Sequence, residues 1–429
     1  MRNLNCAPRW RRVVYSTIPE SSDKRPMLNW LRPFTRNEPE PAKVYIYLID
    51  YEHDRTYAEN VVQYLESQGV LCRSIPLRAD GLRPELQLCL DDQATAVLGF
   101  NSDLDHSWLL SGSFLAAAEK NKTVVLQWIL DHPSSRWHEF YASTAANSRY
   151  LFNSEHERQY FETYCLPGAL TATMGGVGPN RRSRITRLTR QAFMQRRFAC
   201  MVPLSLHRVR SMAQNDEALS ALEAPLADVA HEAIARAKFD LIGPLQQHIA
   251  AALAARNKIV SNQTFNSICQ IVEHSVQAAR RLKIFSVARK FPILIQSDRS
   301  ATPYVNGSVA ALETDVGMQF TLARIPMCKS VLSVSPANDL IHDRTMNALN
   351  GGCVAILEDN LASKRIFEHG KNALLFRYDD DSMEECLDTV CNHPDRAYRI
   401  ARAGMKLRED PRLRFGQFHN ILDLARRHP

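Results

Sequence analysis

The chain alternates short apolar runs with amphipathic helical patterns, and this alternation constrains the fold more than any other feature of the sequence. In the first half, strand-like runs cover residues 44–49, 70–72, 96–100 and 123–128, and helical patterns cover 58–65 and 112–120. Strands that alternate with helices are typical of parallel, doubly wound sheets. The pattern therefore predicts an α/β unit that begins after residue 42.

A second alternating stretch lies nearer the C-terminus. Its strand-like runs cover 283–287, 293–296, 330–334 and 353–357, and its helical patterns cover 342–350, 382–392 and 394–406. Strand signals are nearly absent from about residue 183 to 282. Apolar residues recur there at helical spacing from Leu226 to Ala237 and from Phe265 to Ala279, which predicts helices.

A length of 429 residues agrees with two or three domains of about 100–200 residues each. We expect a basic, poorly ordered tail and linker over 1–42 and a first domain over 43–182. A helical segment over 183–282 and a second domain over 283–429 complete the chain. Ligands of open α/β sheets bind beyond the carboxyl ends of the strands, so the functional site is expected in the cleft between the domains.

The formal net charge is +7, and much of it comes from the N-terminal tail and from arginines between residues 181 and 197. A basic surface suits nucleic acid, anionic lipid or a phosphate-bearing substrate, and an ordinary solvated face is the alternative. The ten cysteines lack the spacing of a disulfide framework or a zinc site, which predicts reduced thiols in a cytoplasm and no metal. No run approaches the roughly 18–20 apolar residues of a membrane helix, and the N-terminus lacks a signal-peptide pattern.

The most informative stretch begins after the strand at 330–334. A loop leads to His342-Asp343-Arg344, then to a short helix and to the turn Gly351-Gly352 before the next strand. A helix N-terminus has free N–H groups and a partial positive charge that suit a diphosphate, and an arginine binds phosphate bidentately. Asp343 is a candidate helix cap. An ordinary capped helix with a surface arginine explains the same residues.

The segment from Ile341 to Ile356 resembles the donor-binding motif of group 1 glycosyltransferases, and among them the CgeB-like branch. The stretches Ile366–Phe376 and Asp379–Gly404 resemble the next elements of that family, so the resemblance covers roughly residues 283–405. It implies a GT-B-like fold: two Rossmann-like domains with parallel sheets that face a cleft, here with a helical segment between them. It also implies transfer of a sugar from a nucleotide-sugar donor, with retention and without metal.

The resemblance implies roles for particular residues. Arg344 and the turn Gly351-Gly352 would face the donor phosphates, together with His342 and Asp343. Asn347 stands where the family usually has a glutamate that holds the donor ribose, and a neutral amide binds hydroxyls more weakly than a carboxylate. Arg365 also stands near a position that is acidic in many members.

Arg289 and Lys290 follow the strand predicted at 283–287. Basic residues near this point of group 1 enzymes neutralise the leaving diphosphate, because negative charge builds on the departing oxygen. Simple solvation of two surface cations is the alternative.

In the first half, Asp131 and His132 come after the apolar run at 123–128. An Asp-His pair at the carboxyl end of a strand can take a proton from an acceptor hydroxyl. The pair also resembles an Asp-x-Pro element of CgeB-like proteins. A histidine before Pro133 is often a plain loop residue, which is the alternative.

The expected partners are a nucleotide-sugar donor, which is a substrate rather than a cofactor, and a glycan, lipid or protein acceptor. Peripheral contact with an anionic membrane is a further expectation, and no nucleic acid is expected. A non-catalytic protein that keeps the GT-B shell is the main alternative, favoured by Asn347 and by the missing acid near Arg365. A dinucleotide-dependent oxidoreductase fits poorly, because residues 49–54 contain no glycine for the phosphate-binding turn.

Overall fold

The computed structural model describes most of the chain after residue 44. The described residues are 45–50, 55–76, 90, 94–100, 112–135, 137–138, 146–175, 185–205, 217–220, 222–414 and 416–427. The expected tail over 1–42 lies outside them. Within this part the strands form two six-stranded sheets, and every strand pairing is parallel. The expected pair of parallel sheets is confirmed.

The first sheet has the order β2-β1-β3-β4-β5-β6. Its strands are β1 Tyr45–Asp50, β2 Leu71–Pro76, β3 Ala96–Phe100, β4 Val124–Ile129, β5 Ser148–Phe152 and β6 Thr171–Thr173. Its helices are α1 Arg55–Ser67, α2 Gly112–Lys120 and α3 Glu155–Tyr160. Every residue of β3, β4 and β5 is buried, as expected for parallel strands covered by helices on both faces.

The middle of the chain is mainly helical. Its helices are α4 Arg190–Met194, α5 Ala224–Ala237, α6 Leu245–Ala254 and α7 Asn262–Ala288. The apolar stripes predicted at 226–237 and 265–279 lie on α5 and α7. They pack against each other and against aromatic residues that follow β5, including Tyr160 and Phe161.

The second sheet has the order β12-β11-β10-β7-β8-β9. Its strands are β7 Phe198–Pro203, β8 Leu294–Ser297, β9 Ala311–Thr314, β10 Cys328–Ser333, β11 Val354–Glu358 and β12 Leu374–Phe376. The helices in this part are α8 Thr302–Val305, α9 Met318–Arg324, α10 Asp343–Asn350, α11 Leu361–Lys364, α12 Asp380–Asn392, α13 Pro394–Leu407, α14 Pro411–Arg414 and α15 His419–Arg426. The strand order reverses between β7 and β10, where doubly wound sheets bind ligands.

Two expectations about elements were wrong. The segment 183–282 was expected to lack strands, but it contains β7, which pairs with both β8 and β10 in the second sheet. The run 283–287 was expected to be a strand, but it is the end of α7. Burial of Ile284, Phe285 and Val287 continues the helical stripe, so helix propagation and packing outweigh the strand preference of a short apolar run. The boundaries between domains stay a prediction.

The last helix returns to the first sheet. Phe418, just before α15, lies 5.7 Å from the ring of Trp128 on β4. The side-chain amide of Asn420 donates a hydrogen bond of 2.6 Å to the carbonyl of Thr173. Both sheets belong to one compact unit. Among the described helices none is long and apolar enough to cross a membrane.

Candidate functional site

The first wall of the candidate site is built at the carboxyl end of β4. Asp131 and His132 lie two and three residues beyond that strand and are half-buried. The ring of His132 packs against Tyr160, with 4.8 Å between centroids, and its Nδ1 lies 2.8 Å from the hydroxyl of Ser134. Packing and hydrogen bonding therefore hold the imidazole in one orientation.

The contacts of His132 bear on its predicted role as a base. The backbone N–H of Ser134 donates to Nδ1 over 3.2 Å, which assigns the proton of the neutral ring to Nε2. In this state Nε2 donates a hydrogen bond and has no free lone pair. The geometry therefore suits a hydrogen bond to a ligand oxygen, while proton abstraction needs the other tautomer.

The second wall is built at the switch point of the second sheet. A cavity of about 440 Å³ lies beyond the ends of β7, β8 and β10 and reaches the first turn of α10. Its polar lining residues are Ser205, Gln296, Ser297, Asp298, Asp315, Thr321, His342, Asp343, Arg344 and Asn347. Asn347 is buried with 4% of its surface exposed, so only a ligand that enters deeply would meet its amide.

The start of α10 differs from the expected cap. His342, and not Asp343, is the N-cap: its Nδ1 accepts a hydrogen bond of 3.2 Å from the backbone N–H of Arg344. Asp343 is buried beside it, with Oδ1 in contact with Nδ1 of His342. Burial raises the pKa of Asp343, but His342 and Arg344 outweigh it and hold that pKa below its usual value. A carboxylate thus already occupies part of the positive helix end.

Arg344 is therefore the group at this helix start that remains available to an anion. Its half-buried side chain lines both the 440 Å³ cavity and a neighbouring cavity of about 250 Å³. Within the described part of the chain its guanidinium has no hydrogen-bonding partner. A guanidinium presents five donors, and two of them match the oxygens of one phosphate.

The 250 Å³ cavity brings residues of both walls together. Asp131 and His132 line it from the first unit, and His342, Asp343 and Arg344 line it from the second. These five candidates are separated by about half of the chain in sequence, yet they surround one space. The structure thus brings the predicted catalytic pair and the predicted helix start to the same cleft.

Helix α7 supplies a third wall that the sequence analysis missed. Glu273, Gln277 and Arg281 line the 250 Å³ cavity, and Glu273 and Gln277 are each about 5% exposed. These three residues are spaced four apart, so they form a row next to the apolar stripe of the same helix. In the sequence these residues form a polar row beside an apolar stripe, a pattern that is equally typical of a helix face exposed to water.

Buried polar contacts tie the walls to one another. The carboxylate of Asp339, in the loop between β10 and α10, accepts hydrogen bonds from the hydroxyl of Ser154 at 2.5 Å and from the backbone N–H of His156 at 3.1 Å. Both donors belong to the start of α3 in the first unit. An acidic group at a helix N-terminus is favourable, so this contact holds the two sides of the cleft together.

A second tie anchors α7. Arg280 is only 4% exposed, and it donates to the backbone carbonyls of Lys238 and Asp240 over 3.0 and 2.6 Å. It also pairs with the buried Glu358 at the end of β11, over 3.7 Å. Burial raises the pKa of Glu358, and the arginine opposes that shift. Breaking one partner of such a pair leaves a buried charge, so the tie fixes the helix that lines the cleft.

A buried carboxyl lies just behind the cleft. Glu157 on α3 is 1% exposed, and neither of its carboxyl oxygens has a hydrogen-bond partner among the described residues. Burial raises its pKa well above the usual value, and Asp339, Asp131 and Glu273 add to the shift. Its surroundings therefore disfavour the charged carboxylate and favour the protonated form.

The turn Gly351-Gly352 is not part of the cleft. It ends α10 and leads into the amino end of β11, so it lies at the opposite edge of the sheet from Arg344. Gly352 has a φ of +62°, a conformation that favours glycine. The guanidinium of Arg196 donates to the carbonyls of Gly351 at 2.8 Å and Gly352 at 2.9 Å. The expectation that this turn faces phosphates is wrong, because the helix separates it from the cavity.

Arg289 and Lys290 are also away from the cleft. They come after α7, not after a strand, and precede the amino end of β8. Arg289 is the C-cap of α7, and the ammonium of Lys290 pairs with Glu384 over 2.5 Å at the surface. Neither residue lines either cavity of the cleft. Their expected position beyond a strand was wrong, because the strand predicted at 283–287 is helical.

Within the described part of the chain, no three His, Cys, Asp or Glu side chains are placed to hold a metal ion. Whether the reaction needs a metal or a cofactor stays a prediction.

Part of the chain matches a known family. Residues 314–417 match a family model described as glycosyl transferase-like. This segment begins at the end of β9 and includes α10 and Arg344, so it forms much of the second wall. The match supports the prediction that the chain is a glycosyltransferase. No curated protein matches the sequence.

Several solved structures are similar over most of the chain. A sucrose-phosphate synthase from Thermosynechococcus elongatus is 9% identical with a TM-score of 0.48, over 89% of this chain and 98% of that one. A glycosyltransferase from Rickettsia africae is 8% identical with a TM-score of 0.46, over 90% and 98%. Anabaena HepE in complex with UDP and glucose is 10% identical with a TM-score of 0.43, over 89% and 98%. At these values the similarity carries no further argument.

Proposed function

We propose that this protein is a group 1 glycosyltransferase of the CgeB-like branch, which moves a sugar from a nucleotide-sugar donor to an acceptor. The observation that carries the proposal is a coincidence of position. The family match over 314–417 includes the segment that lines the switch-point cavity with Arg344, whose guanidinium has no hydrogen-bonding partner among the residues that the structure describes. A helix start and an arginine at a switch point suit a nucleotide diphosphate.

The geometry suggests a division of the cleft. The cavity of about 440 Å³ is of a size that suits a nucleotide, and the adjacent 250 Å³ cavity would take the sugar and the acceptor hydroxyl. Arg344 lies between the two and would hold the diphosphate, while Nε2 of His132 would donate to a sugar or acceptor oxygen. Electrostatic stabilisation of the leaving diphosphate is the largest requirement of such a transfer.

The acceptor, the stereochemistry and the metal requirement are part of the proposal. We propose a glycan, lipid or protein acceptor, retention at the anomeric carbon and no need for metal, as the family resemblance implies. A cytoplasmic location and peripheral contact with an anionic membrane are proposed on the cysteine pattern and the positive charge of the sequence.

The test is release of nucleoside diphosphate. Purified protein is incubated with a panel of nucleotide-sugars, with and without a chelator, and thermal shift reports which donors bind. A donor that raises the melting temperature and is turned over supports an enzyme, and activity that survives the chelator supports metal independence. The anomeric configuration of the product, read by NMR, tests retention.

A non-catalytic nucleotide-binding protein is the second candidate. It is favoured by Asn347, whose amide lines the donor cavity at the position of the family's usual glutamate. Binding of nucleoside diphosphate without turnover of any donor would support this candidate. If Asn347→Glu restored turnover, the protein would instead be an enzyme whose activity is weakened at this one residue.

A further inference from the structure

A groove lies at the amino edge of the second sheet, away from the cleft. We call it the amino-edge groove; it has a volume of about 570 Å³ and is lined by Thr186, Arg187, Leu188, Thr189, Arg190, Tyr398, Arg402, Met405, Lys406, Arg408 and Glu409. Met405 also packs close to Gly352, next to the amino end of β11. The groove and Arg344 therefore lie at opposite ends of α10, and a ligand of one does not touch the other.

The charge of the amino-edge groove is strongly one-sided. Five of its lining residues are basic and one is acidic. Two of the five are neutralised locally: Arg190 pairs with Asp395 over 2.6 Å, and Arg408 lies 3.4 Å from Glu409 and donates to the carbonyl of Ile185.

The other three basic residues of the groove are Arg187, Arg402 and Lys406. All three side chains are exposed, and none has a hydrogen bond or an ion pair with the described residues around it. Like charges that converge in a concave surface repel one another and raise the local positive potential. A bound anion removes that repulsion.

The positive surface continues along α13. Arg396, Arg399, Arg402 and Lys406 are all exposed and recur every three or four residues, which places them on the solvent side of the helix. Ala397, Ile400 and Ala401 on the opposite side are buried in the core of the second unit. The apolar face of α13 packs on the core, so the helix can bring its cations to an anionic surface while its apolar residues stay buried.

We propose that the amino-edge groove is a second anion site, which binds the phosphate of a ligand other than the nucleotide-sugar. Arg187 and Arg402 would bind phosphate oxygens through paired N–H donors, and Lys406 would add a point charge. Two sources of such a phosphate share this chemistry: the headgroup of an anionic lipid and a soluble phosphorylated compound.

The experiment compares two double variants of the full chain. Arg402→Glu with Lys406→Glu reverses the charge at two positions of the groove and leaves its lining with three basic and three acidic residues. Lys120→Glu with Lys258→Glu changes the net charge equally at two exposed lysines that do not line the groove. Arg402→Gln with Lys406→Gln is added in case charge reversal impairs folding, and Arg344→Ala reports any contribution of the donor cleft.

Each protein is titrated with three probes. Phosphatidylcholine vesicles containing phosphatidylglycerol test the lipid source, with pure phosphatidylcholine as the blank. Inositol hexakisphosphate tests the soluble source, and a short DNA duplex tests nucleic acid.

The glutamine variant should bind anionic vesicles about thirtyfold more weakly than wild type, since each basic residue near an anionic surface contributes about a factor of five. The glutamate variant changes the charge by twice as much and should lose more. The lysine control and Arg344→Ala should bind like wild type. The same loss with inositol hexakisphosphate, and not with vesicles, would identify a soluble ligand. Wild-type binding to neither probe, equal losses in both charge-reversed variants, or binding of the DNA duplex alone would each overturn the proposal.

Discussion

The two ends of helix α10 were both expected to face phosphates, and the structure places them at opposite edges of the second sheet. The N-terminal end carries His342, Asp343 and Arg344 and opens into two cavities at the carboxyl edge of the sheet. The C-terminal end carries Gly351 and Gly352 and closes into a turn whose carbonyls accept hydrogen bonds from Arg196.

Both ends resemble parts of a phosphate-binding motif. Among the described residues, the first end has a donor without a hydrogen-bonding partner, Arg344, that faces a cavity, and the second end is occupied by Arg196. The comparison shows that the position of a residue, at the carboxyl or at the amino edge of the sheet, decides whether it can reach a ligand in the cleft. Four predictions test that difference, from the largest expected effect to the smallest.

Arg196→Ala should be the most destabilising of these changes. The arginine donates to the carbonyls of Cys328, Gly351 and Gly352, and its loss should lower the free energy of unfolding by about 3 kcal/mol. Urea denaturation measures the change. Arg197→Ala is the matched control, because that neighbour is exposed and its guanidinium lies over the ring of Phe198; the change should cost less than about 1 kcal/mol. Equal, small losses in both variants would show that the turn does not depend on Arg196.

Arg344→Ala should weaken ligand binding and leave stability nearly unchanged, in contrast to Arg196→Ala. Loss of a charge-assisted hydrogen bond to phosphate costs about 1.5–3 kcal/mol, so nucleoside diphosphate should bind about ten- to a hundredfold more weakly. The free energy of unfolding without ligand should change little, because the guanidinium has no hydrogen-bonding partner in the described part of the protein.

Calorimetric titration of diphosphate and of unphosphorylated nucleoside measures the effect of Arg344→Ala. The nucleoside serves as the control and should bind both proteins alike. Equal diphosphate affinity in wild type and variant would remove Arg344 from the site and leave the two ends of α10 equivalent.

Glu157 lies behind the cleft, and Glu157→Gln should change how the free energy of unfolding depends on pH. The pKa of Glu157 is raised in the folded protein, so the native state keeps a proton that the unfolded state releases above about pH 4.5. Stability from this group is complete below that pH and is lost as pH rises toward the native pKa, by up to about 1.4 kcal/mol per pH unit. The variant should therefore lose less stability than wild type between pH 5 and pH 8.

Urea denaturation at four pH values across this interval gives both slopes. Glu119→Gln is the control, because Glu119 is exposed, and its slope should match that of wild type. Parallel slopes for wild type and Glu157→Gln would mean that Glu157 is charged in the native state.

Lys290→Ala should have the smallest effect of all. Lys290 forms an exposed ion pair with Glu384, and such pairs contribute little to stability. Neither the melting temperature nor the diphosphate affinity should change measurably. A clear loss of diphosphate binding would restore the role that the family resemblance implies and would extend the anion site to the amino end of β8.

The predictability of the fold from sequence differed between elements. Strands such as β4 and β10 were found from their apolar runs, and α10 was found with its start within one residue. The miss at 283–287 has a physical cause: five apolar-rich residues fit either a strand or the last turns of α7, and only packing distinguishes them. Strand β7 was missed for the related reason that a short run in a helical context has no period of its own.

The candidate site was predicted in part. Asp131, His132 and Arg344 were expected in the cleft because ligands bind beyond the carboxyl ends of parallel strands, and the three residues line one cavity there. Glu273 and Gln277 were not, because nothing in local sequence shows that the polar side of a helix faces a cleft rather than water. Arg289 and Lys290 were placed at the wrong edge, because a helix and not a strand precedes them. Gly351 and Gly352 were assigned to the phosphates through the family resemblance, although a helix precedes them and a strand follows them.

The sequence by itself determined the two parallel sheets, the helix start at 342–344 and the excess of positive charge, because periodicity and composition are local properties. Only the tertiary structure decided that Asp131, His132 and Arg344 share a cavity, and that Arg187, Arg402 and Lys406 share another groove. Each set combines residues from distant parts of the chain, and their proximity results from strand order and helix packing, which depend on the burial of the whole core rather than on any one segment.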